Sequence, residues 1–215
     1  MSAAADPASV RAGRPRATRA TARRRTAAFT AAALASGACP AHPVDELVRN
    51  AYLDLVPGEV RLLIELVPGA EVTGALLGPF DANGDGELGP AEARAFAASA
   101  LERSVLRLDG RPVDWSLDGV EAPSPEALAL GHAVLRVRAT AARSDRPGAR
   151  ALDYRSEPFP VASRATANAF VPPEHARRYR IDRQRREGGR LIVDYAVLEP
   201  GAAAPSGSVS AGEDP

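Results

Sequence analysis

The sequence predicts a mostly-β fold of the α+β class, built from short strands and carrying one inserted helix. Three features lead to this prediction: apolar residues that alternate with polar ones, turn dipeptides that separate those segments, and one stretch with helical spacing. The 215 residues suffice for one ordinary domain or two small ones, and 45% of them are hydrophobic, which is enough for a core. Only 5% are aromatic, so we expect aliphatic side chains to fill most of that core.

Two strands are predicted in AYLDLV and EVRLLIELV, which are rich in Val, Leu and Ile and are joined by Pro57-Gly58. The second segment alternates, with Arg61 and Glu65 on one face. Its other face carries four apolar side chains: Val60, Leu62, Ile64 and Leu66. A second Pro-Gly pair then ends the strand.

One helix is predicted after residue 89. Pro90 suits the first turn of a helix, where Glu92 is favoured by the helix dipole. Four apolar residues then recur at helical spacing: Phe96, Ala97, Ala100 and Leu101. We expect this helix to end near Arg103.

Further strands are predicted in the second half of the chain. SVLRLDGRPVDWSL is predicted to turn at Asp109-Gly110, and HAVLRVRATA alternates as a strand does. ANAFV follows, and then ARRYRIDRQRR and RLIVDYAVL meet at a Glu-Gly-Gly turn. About seven short strands with closely spaced turns predict an antiparallel, immunoglobulin-like β-sandwich into which the helix and the loop before it are inserted.

That loop, DANGDGELGPAE, has the spacing of a calcium-binding loop. Its candidate metal ligands are the first, third, fifth, seventh and twelfth residues: Asp81, Asn83, Asp85, Glu87 and Glu92. Glu87 would use its backbone carbonyl, and Glu92 would offer both carboxylate oxygens. Gly86, the sixth residue, would allow the sharp turn that such a loop requires.

The proposed ligands are all oxygens, which favours a hard cation, and a flexible loop with a bidentate Glu favours Ca²⁺ over the smaller, octahedral Mg²⁺. The alternative interpretation is a polar turn that caps the following helix. Such a turn would need neither Gly86 nor the acid at Glu92. We therefore predict that this segment binds a calcium ion.

Residues 81–92 and the helix after them resemble the loop and exiting helix of the EF-hand family. The resemblance implies that Leu88 packs inward and that a water fills the ninth position, where this chain has Gly89. It implies a structural or weak site, with a dissociation constant of about 10⁻⁴–10⁻³ M as in extracellular modules. The entering segment VTGALLGPF contains two glycines and a proline, so we expect a poor first helix, and the chain has no second loop.

A longer stretch, HPVDELVRNAYLDLVPGEVRLLIELVPG followed by DANGDGELGPAEARAF, is similar to bacterial exported domains that begin with His-Pro after a signal peptide. Comparable regions precede nickel/cobalt transporter segments, and the resemblance covers about residues 42–198. It implies a membrane transporter or another envelope protein as partner. Transport itself is not implied, because this chain lacks the transporter helices, and we predict no transmembrane span in the mature chain.

Residues 1–41 are predicted to be a signal peptide with a basic leader. They contain seven arginines against one acid, and an uncharged run from Thr26 to Ala38 precedes an Ala-rich cleavage region. Cleavage after Ala41 would leave an exported domain, residues 42–199, in the periplasm or outside the cell, with a disordered tail at 200–215. The alternative is a lipid anchor on Cys39, the only cysteine.

A second functional hypothesis is an envelope domain that handles copper, nickel or cobalt. Processing would make His42 the amino terminus, whose amine and imidazole can chelate a transition metal, with a second imidazole from His132 or His175. A third hypothesis is a hydrolase. Because the sequence has no Gly-rich phosphate loop and no zinc-spaced His/Cys set, we predict no enzymatic activity.

The arginine-rich run from Arg177 to Arg186 is predicted to be an exposed strand edge. The alternative is a contact with phosphate or with an acidic partner. Beyond the leader the chain has 20 arginines against 26 acids, so we predict no nucleic-acid partner.

Overall fold

The computed structural model describes residues 44–199, and its ten strands lie in two five-stranded sheets. The strands are Leu47–Val56 (β1), Glu59–Pro68 (β2), Ser104–Leu108 (β3), Arg111–Val113 (β4), Ser116–Glu121 (β5), Leu135–Ala142 (β6), Gly148–Ser156 (β7), Ser163–Phe170 (β8), Tyr179–Glu187 (β9) and Arg190–Val197 (β10). The first sheet has the order β5-β6-β2-β1-β8 and the second β4-β3-β7-β10-β9. Strands hold 49% and helices 21% of the described residues, so the mostly-β prediction is confirmed.

The two sheets share one core, as in a β-sandwich. Along β2 the four predicted apolar positions are buried while Arg61 is exposed, and along β10 every second residue is buried. Leu53 of β1 and Leu191 of β10 are fully buried members of the same apolar cluster. Alternation therefore buries one face of each sheet against the other.

One strand pair departs from the predicted antiparallel arrangement. β1 and β8 run parallel, with Leu47 opposite Ser163 and Asp54 opposite Phe170. All the other strand pairs of residues 44–199 are antiparallel. The chain leaves the second sheet after β7 and crosses to the edge of the first, where the amide of Leu47 donates to the carbonyl of Ala162 at 2.8 Å. This crossover makes the parallel pairing feasible, because parallel strands cannot be joined by a tight turn.

Three α-helices accompany the strands of residues 44–199: Ala70–Leu77 (α1), Pro90–Glu102 (α2) and Pro125–Ala129 (α3). α2 ends as predicted, and its four buried residues are Ala93, Phe96, Ala97 and Ala100. The sequence predicted one convincing helix, α2, and a poor helix in the segment that enters the loop. This prediction is wrong for residues 70–77, which form α1. α1 buries Thr73, Leu76 and Leu77, and this tertiary burial outweighs the low helix propensity of Gly74.

The predicted hairpin around Asp109-Gly110 forms between β3 and β4, and the chain then changes sheets. Only Asp114 and Trp115 separate β4 from β5, so a covalent crossover closes this side of the sandwich. The indole of Trp115 donates a hydrogen bond to the carbonyl of Ser104, which fixes the crossover against β3.

Side chains close the opposite side of the sandwich. β9 is the edge strand of the second sheet, and Gln184 donates to the carbonyl of Ala169 at 2.7 Å and accepts from its amide at 3.2 Å. The guanidinium of Arg186 donates to the carbonyl of Ala167 at 3.1 Å. The prediction that residues 177–186 contain an exposed strand edge is confirmed, since Arg180 and Arg183 are exposed.

The strand registers give the molecule two distinct ends. One end, here called the turn end, has the Pro57-Gly58 turn, the Asp109-Gly110 turn and residues 143–147. The other, the helical end, receives α1 after β2 and α3 before β6. Within residues 44–199, no helix combines the length and apolar character needed to cross a bilayer. The predicted leader, Cys39, His42 and the predicted tail at 200–215 lie outside the described residues.

Candidate metal centre

The loop of residues 81–92 leaves the helical end between α1 and α2 and is anchored on both sides by apolar contacts. Phe80, just before the loop, packs edge-on against Phe96 of α2 with ring centroids 5.2 Å apart. Phe96 stacks on Phe159 at 5.8 Å. Leu88 is half-buried and packs against the core, as its predicted inward orientation requires. The loop between these anchors is exposed from Ala82 to residue 87, so an ion has access from solvent.

Two glycines give the loop its shape. Gly86 has φ +81°, so the predicted sharp turn is confirmed, and Gly84 also lies in the left-handed region at φ +72°. A Cβ at either position would meet no atom within 4 Å. The requirement for glycine is therefore conformational, not steric.

The first acidic residue of the loop points back over the turn. Oδ1 of Asp81 accepts a hydrogen bond from the amide of Gly84 at 2.8 Å, and Oδ2 accepts from the amide of Gly86 at 2.9 Å. The two amides offset part of the charge of this carboxylate and hold the loop as a tight coil.

Asn83 and Asp85 are coupled to each other within that coil. The side-chain oxygen of Asn83 accepts from the amide of Asp85 at 3.0 Å, and its side-chain NH₂ donates to Oδ2 of Asp85 at 2.8 Å. Oδ1 of Asp85 accepts from the amide of Glu87 at 2.8 Å. The side chains at the third and fifth positions of the loop therefore lie next to each other.

Glu92, in the first turn of α2, links the end of the loop to its beginning. Its Oε1 accepts from the amide of Ala82 at 2.8 Å, and its Oε2 accepts from the amide of Gly89 at 2.7 Å. The bond to Gly89 caps α2, while the bond to Ala82 spans ten residues. The twelfth position is therefore already folded over the first turn of the loop.

The structure also bears on whether a cation fits this site. Among residues 44–199, no three His, Cys, Asp or Glu side chains are gathered as a metal-binding group. The carboxylates of Asp81 and Glu92 are directed at backbone amides, and two of the predicted ligands, the amide oxygen of Asn83 and the carbonyl of Glu87, are not of those four types. Each carboxylate oxygen keeps a second lone pair, so the donor chemistry suits a hard cation if Glu92 turns toward the loop centre.

Glu87 differs from the other acids of the loop. No hydrogen bond or ion pair reaches its carboxylate from any other residue in 44–199, and its side chain is exposed. This agrees with the predicted use of its backbone carbonyl alone. Glu87 is therefore the natural comparison for Glu92.

The two histidines of residues 44–199 do not form a pair. His132 follows α3 at the helical end, where its amide donates to the carbonyl of Ala127. His175 ends the one-turn helix Pro173–His175, between β8 and β9 at the turn end. At most one of them can accompany His42, which lies outside the described residues, and the transition-metal hypothesis stays a prediction.

Sequence reasoning missed the contacts that hold the loop in place. The amides of Ala82 and Gly89 donate hydrogen bonds to the carboxylate of Glu92, and Phe159 packs against Phe96 from a segment about 60 residues further along. A hydrophobic residue directly before the loop, Phe80, was the available signal for the aromatic anchor.

No protein-family model matches the chain, and no curated protein is significantly similar to it.

Proposed function

We propose that this chain is a calcium-binding protein that holds one ion in the loop of residues 81–92, through Asp81, Asn83, Asp85 and Glu92 and the backbone carbonyl of Glu87. The role is structural: the ion fixes an exposed, acidic loop on the helical end of a β-sandwich. The activity is binding without catalysis.

The observation that carries this proposal is the hydrogen bond from the amide of Ala82 to Oε1 of Glu92 at 2.8 Å. This bond brings the carboxylate of Glu92, the twelfth residue of the loop, to the same part of the loop whose amides donate to Asp81, the first residue. A helix-capping turn requires only the hydrogen bond that the amide of Gly89 donates to Glu92. The bond from the amide of Ala82 is not needed for capping, and it places the carboxylate of Glu92 against the start of the loop before any ion binds.

When the ion binds, both oxygens of Glu92 exchange their amide partners for the metal. The loss of two charge-assisted hydrogen bonds is offset by removal of the repulsion among Asp81, Asp85 and Glu92. This exchange makes the free energy of calcium binding less favourable, which agrees with a dissociation constant of about 10⁻⁴–10⁻³ M.

The proposal extends to the setting of the site. The sandwich is immunoglobulin-like with an inserted EF-hand segment, and the chain is exported, with a membrane transporter or another envelope protein as its partner. The resemblance of residues 42–198 to exported domains supports this part.

Calcium titration followed by thermal unfolding tests the proposal. At 100 times its dissociation constant, calcium stabilises the wild-type fold by about 2.7 kcal/mol. Asp81→Ala or Glu92→Gln removes most of this shift and leaves the calcium-free protein folded.

Glu87→Gln is the matched control, because it removes the same charge from the same loop at a side chain with no assigned ligand role. It retains most of the calcium-induced stabilisation. If Glu92→Gln and wild type shift equally, or if Glu87→Gln loses as much as Glu92→Gln, the ligand set is wrong.

A further inference from the structure

A cleft of about 640 Å³ opens at the turn end, far along the sandwich from the acidic loop. One wall is the β3–β4 hairpin, and the other is the segment that joins β6 to β7. Four arginines line it: Arg111, Arg143, Arg146 and Arg150. One acid, Asp109, lines it with them.

Arg143 is the fixed element of this cleft. Its side chain is 1% exposed, and its guanidinium donates to the carbonyls of Val56 at 2.6 Å and Glu59 at 3.2 Å. Asp145 pairs with it at 3.2 Å, and the ring of Tyr179 lies 4.3 Å from its central carbon. Its remaining nitrogen, Nη1, is buried and has no hydrogen-bond partner among the described residues.

Arg150 is held in place by the hairpin on the other wall. Its guanidinium donates to Oδ2 of Asp109 at 3.2 Å and to the carbonyl of Arg146 at 2.9 Å. The second oxygen of Asp109 accepts from the amide of Ala151 at 2.9 Å. These bonds neutralise the only acid that lines the cleft.

Arg111 and Arg146 supply charge that is not compensated. Both are exposed, and within residues 44–199 neither side chain takes part in a salt bridge or donates a side-chain hydrogen bond. Asp109 and Asp145 are already paired with Arg150 and Arg143. Two free guanidinium groups therefore face a concave surface on a domain with more acids than arginines.

The floor of the cleft is apolar. Leu108 and Val113 are half-buried, pack against the core and line the cleft. A volume of about 640 Å³ falls in the range of pockets for small molecules. Arginine presents several N–H donors in a planar fork that matches a carboxylate or a phosphate.

From these features we propose that the cleft is a binding site for a small organic anion, whose carboxylate or phosphate group is held by Arg111 and Arg146 and whose apolar part rests on Leu108 and Val113. Arg143 and Arg150 position the walls and add to the positive potential. The site is independent of the calcium loop.

Isothermal titration calorimetry of the full chain at low ionic strength tests this site with three probes: phenyl phosphate, benzoate and inorganic phosphate. We expect saturable binding of phenyl phosphate, of benzoate or of both, and the pair distinguishes a phosphate ligand from a carboxylate ligand. Arg111→Gln and Arg146→Gln each weaken binding about tenfold, the loss expected for one charge-assisted hydrogen bond.

Arg183→Gln is the matched control, since Arg183 is equally exposed but lies on β9 away from the cleft, and it changes affinity less than about twofold. Glu92→Gln binds the anion as wild type does, which separates this site from the calcium loop. Absence of saturable binding with all three probes overturns the proposal, as does equal weakening by Arg183→Gln. Inorganic phosphate that binds as tightly as phenyl phosphate overturns the role of the apolar floor.

Discussion

The acidic loop and the arginine cleft accommodate charge in different ways. The loop takes four acids from twelve consecutive residues, leaves each of them at least partly exposed, and directs its own amides at three of them, Asp81, Asp85 and Glu92. The cleft collects arginines from three separate segments, and its central one, Arg143, is buried against carbonyls, an aspartate and a tyrosine ring. Charge in the loop can therefore change without disturbing the core, whereas charge at Arg143 is part of the fold.

The largest effect is expected from the aromatic anchor beneath the loop. Phe96 is 0% exposed and contacts both Phe80 and Phe159. Phe96→Ala should lower the free energy of unfolding by about 4 kcal/mol, because it removes a large buried side chain and leaves a cavity. Urea denaturation measures this. Phe170→Ala is the control, since Phe170 is 47% exposed, and a loss of the same size there would contradict the assignment of Phe96 as an anchor.

The second largest loss of stability is expected from removing Arg143, the buried arginine at the turn end. Arg143→Ala is expected to cost about 3 kcal/mol, because the carbonyls of Val56 and Glu59 lose a donor in a buried setting and Asp145 keeps only Arg178 as a cationic partner. The same denaturation measurement on Arg146→Ala should show a change within about 0.5 kcal/mol. If both variants lose equally little, Arg143 is not integral to the fold and the contrast between the two regions fails.

A smaller effect is expected from the turn of the loop. Gly86→Ala should destabilise the calcium-free protein by about 1 kcal/mol, because alanine is strained at φ +81° although its Cβ meets no atom. Gly78→Ala is the matched control: its Cβ is equally unobstructed, and its φ of −51° suits alanine, so stability should be unchanged or rise. Thermal unfolding of both variants decides, and equal losses would show that the conformation of Gly86 is not the cause.

The smallest effect is expected from a surface ion pair on the neighbouring strands β7 and β10, away from the loop and the cleft. Arg190 donates to both carboxylate oxygens of Asp153, at 2.9 and 2.6 Å, and holds the pKa of that carboxyl below its ordinary value. The pair therefore stabilises the fold above about pH 4, the unfolded pKa, and this contribution is lost as the pH falls through the lowered pKa. Because both side chains are partly exposed, Asp153→Asn should cost only about 0.5–1 kcal/mol at neutral pH.

Unfolding measured against pH checks this pair. The difference between wild type and Asp153→Asn should shrink in acid. Asp114→Asn, at an exposed aspartate for which residues 44–199 supply no ion-pair partner, should show no such trend. A difference that grows as the pH falls would reverse the assigned sign.

The sequence was informative where a feature is built from neighbouring residues. Alternation in β2 and helical spacing in α2 predicted their buried faces, and the loop spacing predicted the turn at Gly86. These features depend on local geometry, which a short stretch of sequence specifies. The calcium ligands of the loop remain a prediction of the same local kind.

Features that depend on contacts between distant segments were not predictable. β7 was not predicted, although it is the central strand of the second sheet, because only Leu152 and Tyr154 of its nine residues are buried. The parallel pairing of β1 with β8 and the helicity of residues 70–77 depend on packing across the chain. The arginine cleft escaped notice for the same reason, since its walls are brought together by the fold alone.

The contacts of Gln184 with β8 have a consequence for self-association. An amide and a carbonyl that would otherwise be free to recruit a strand from another molecule are satisfied by one glutamine side chain. The proton on the nitrogen of Ala169 should accordingly exchange with deuterated solvent as slowly as those of interior strands. Replacing Gln184 with alanine would leave that amide and carbonyl without their partner and make this edge more prone to pair with a strand of another molecule.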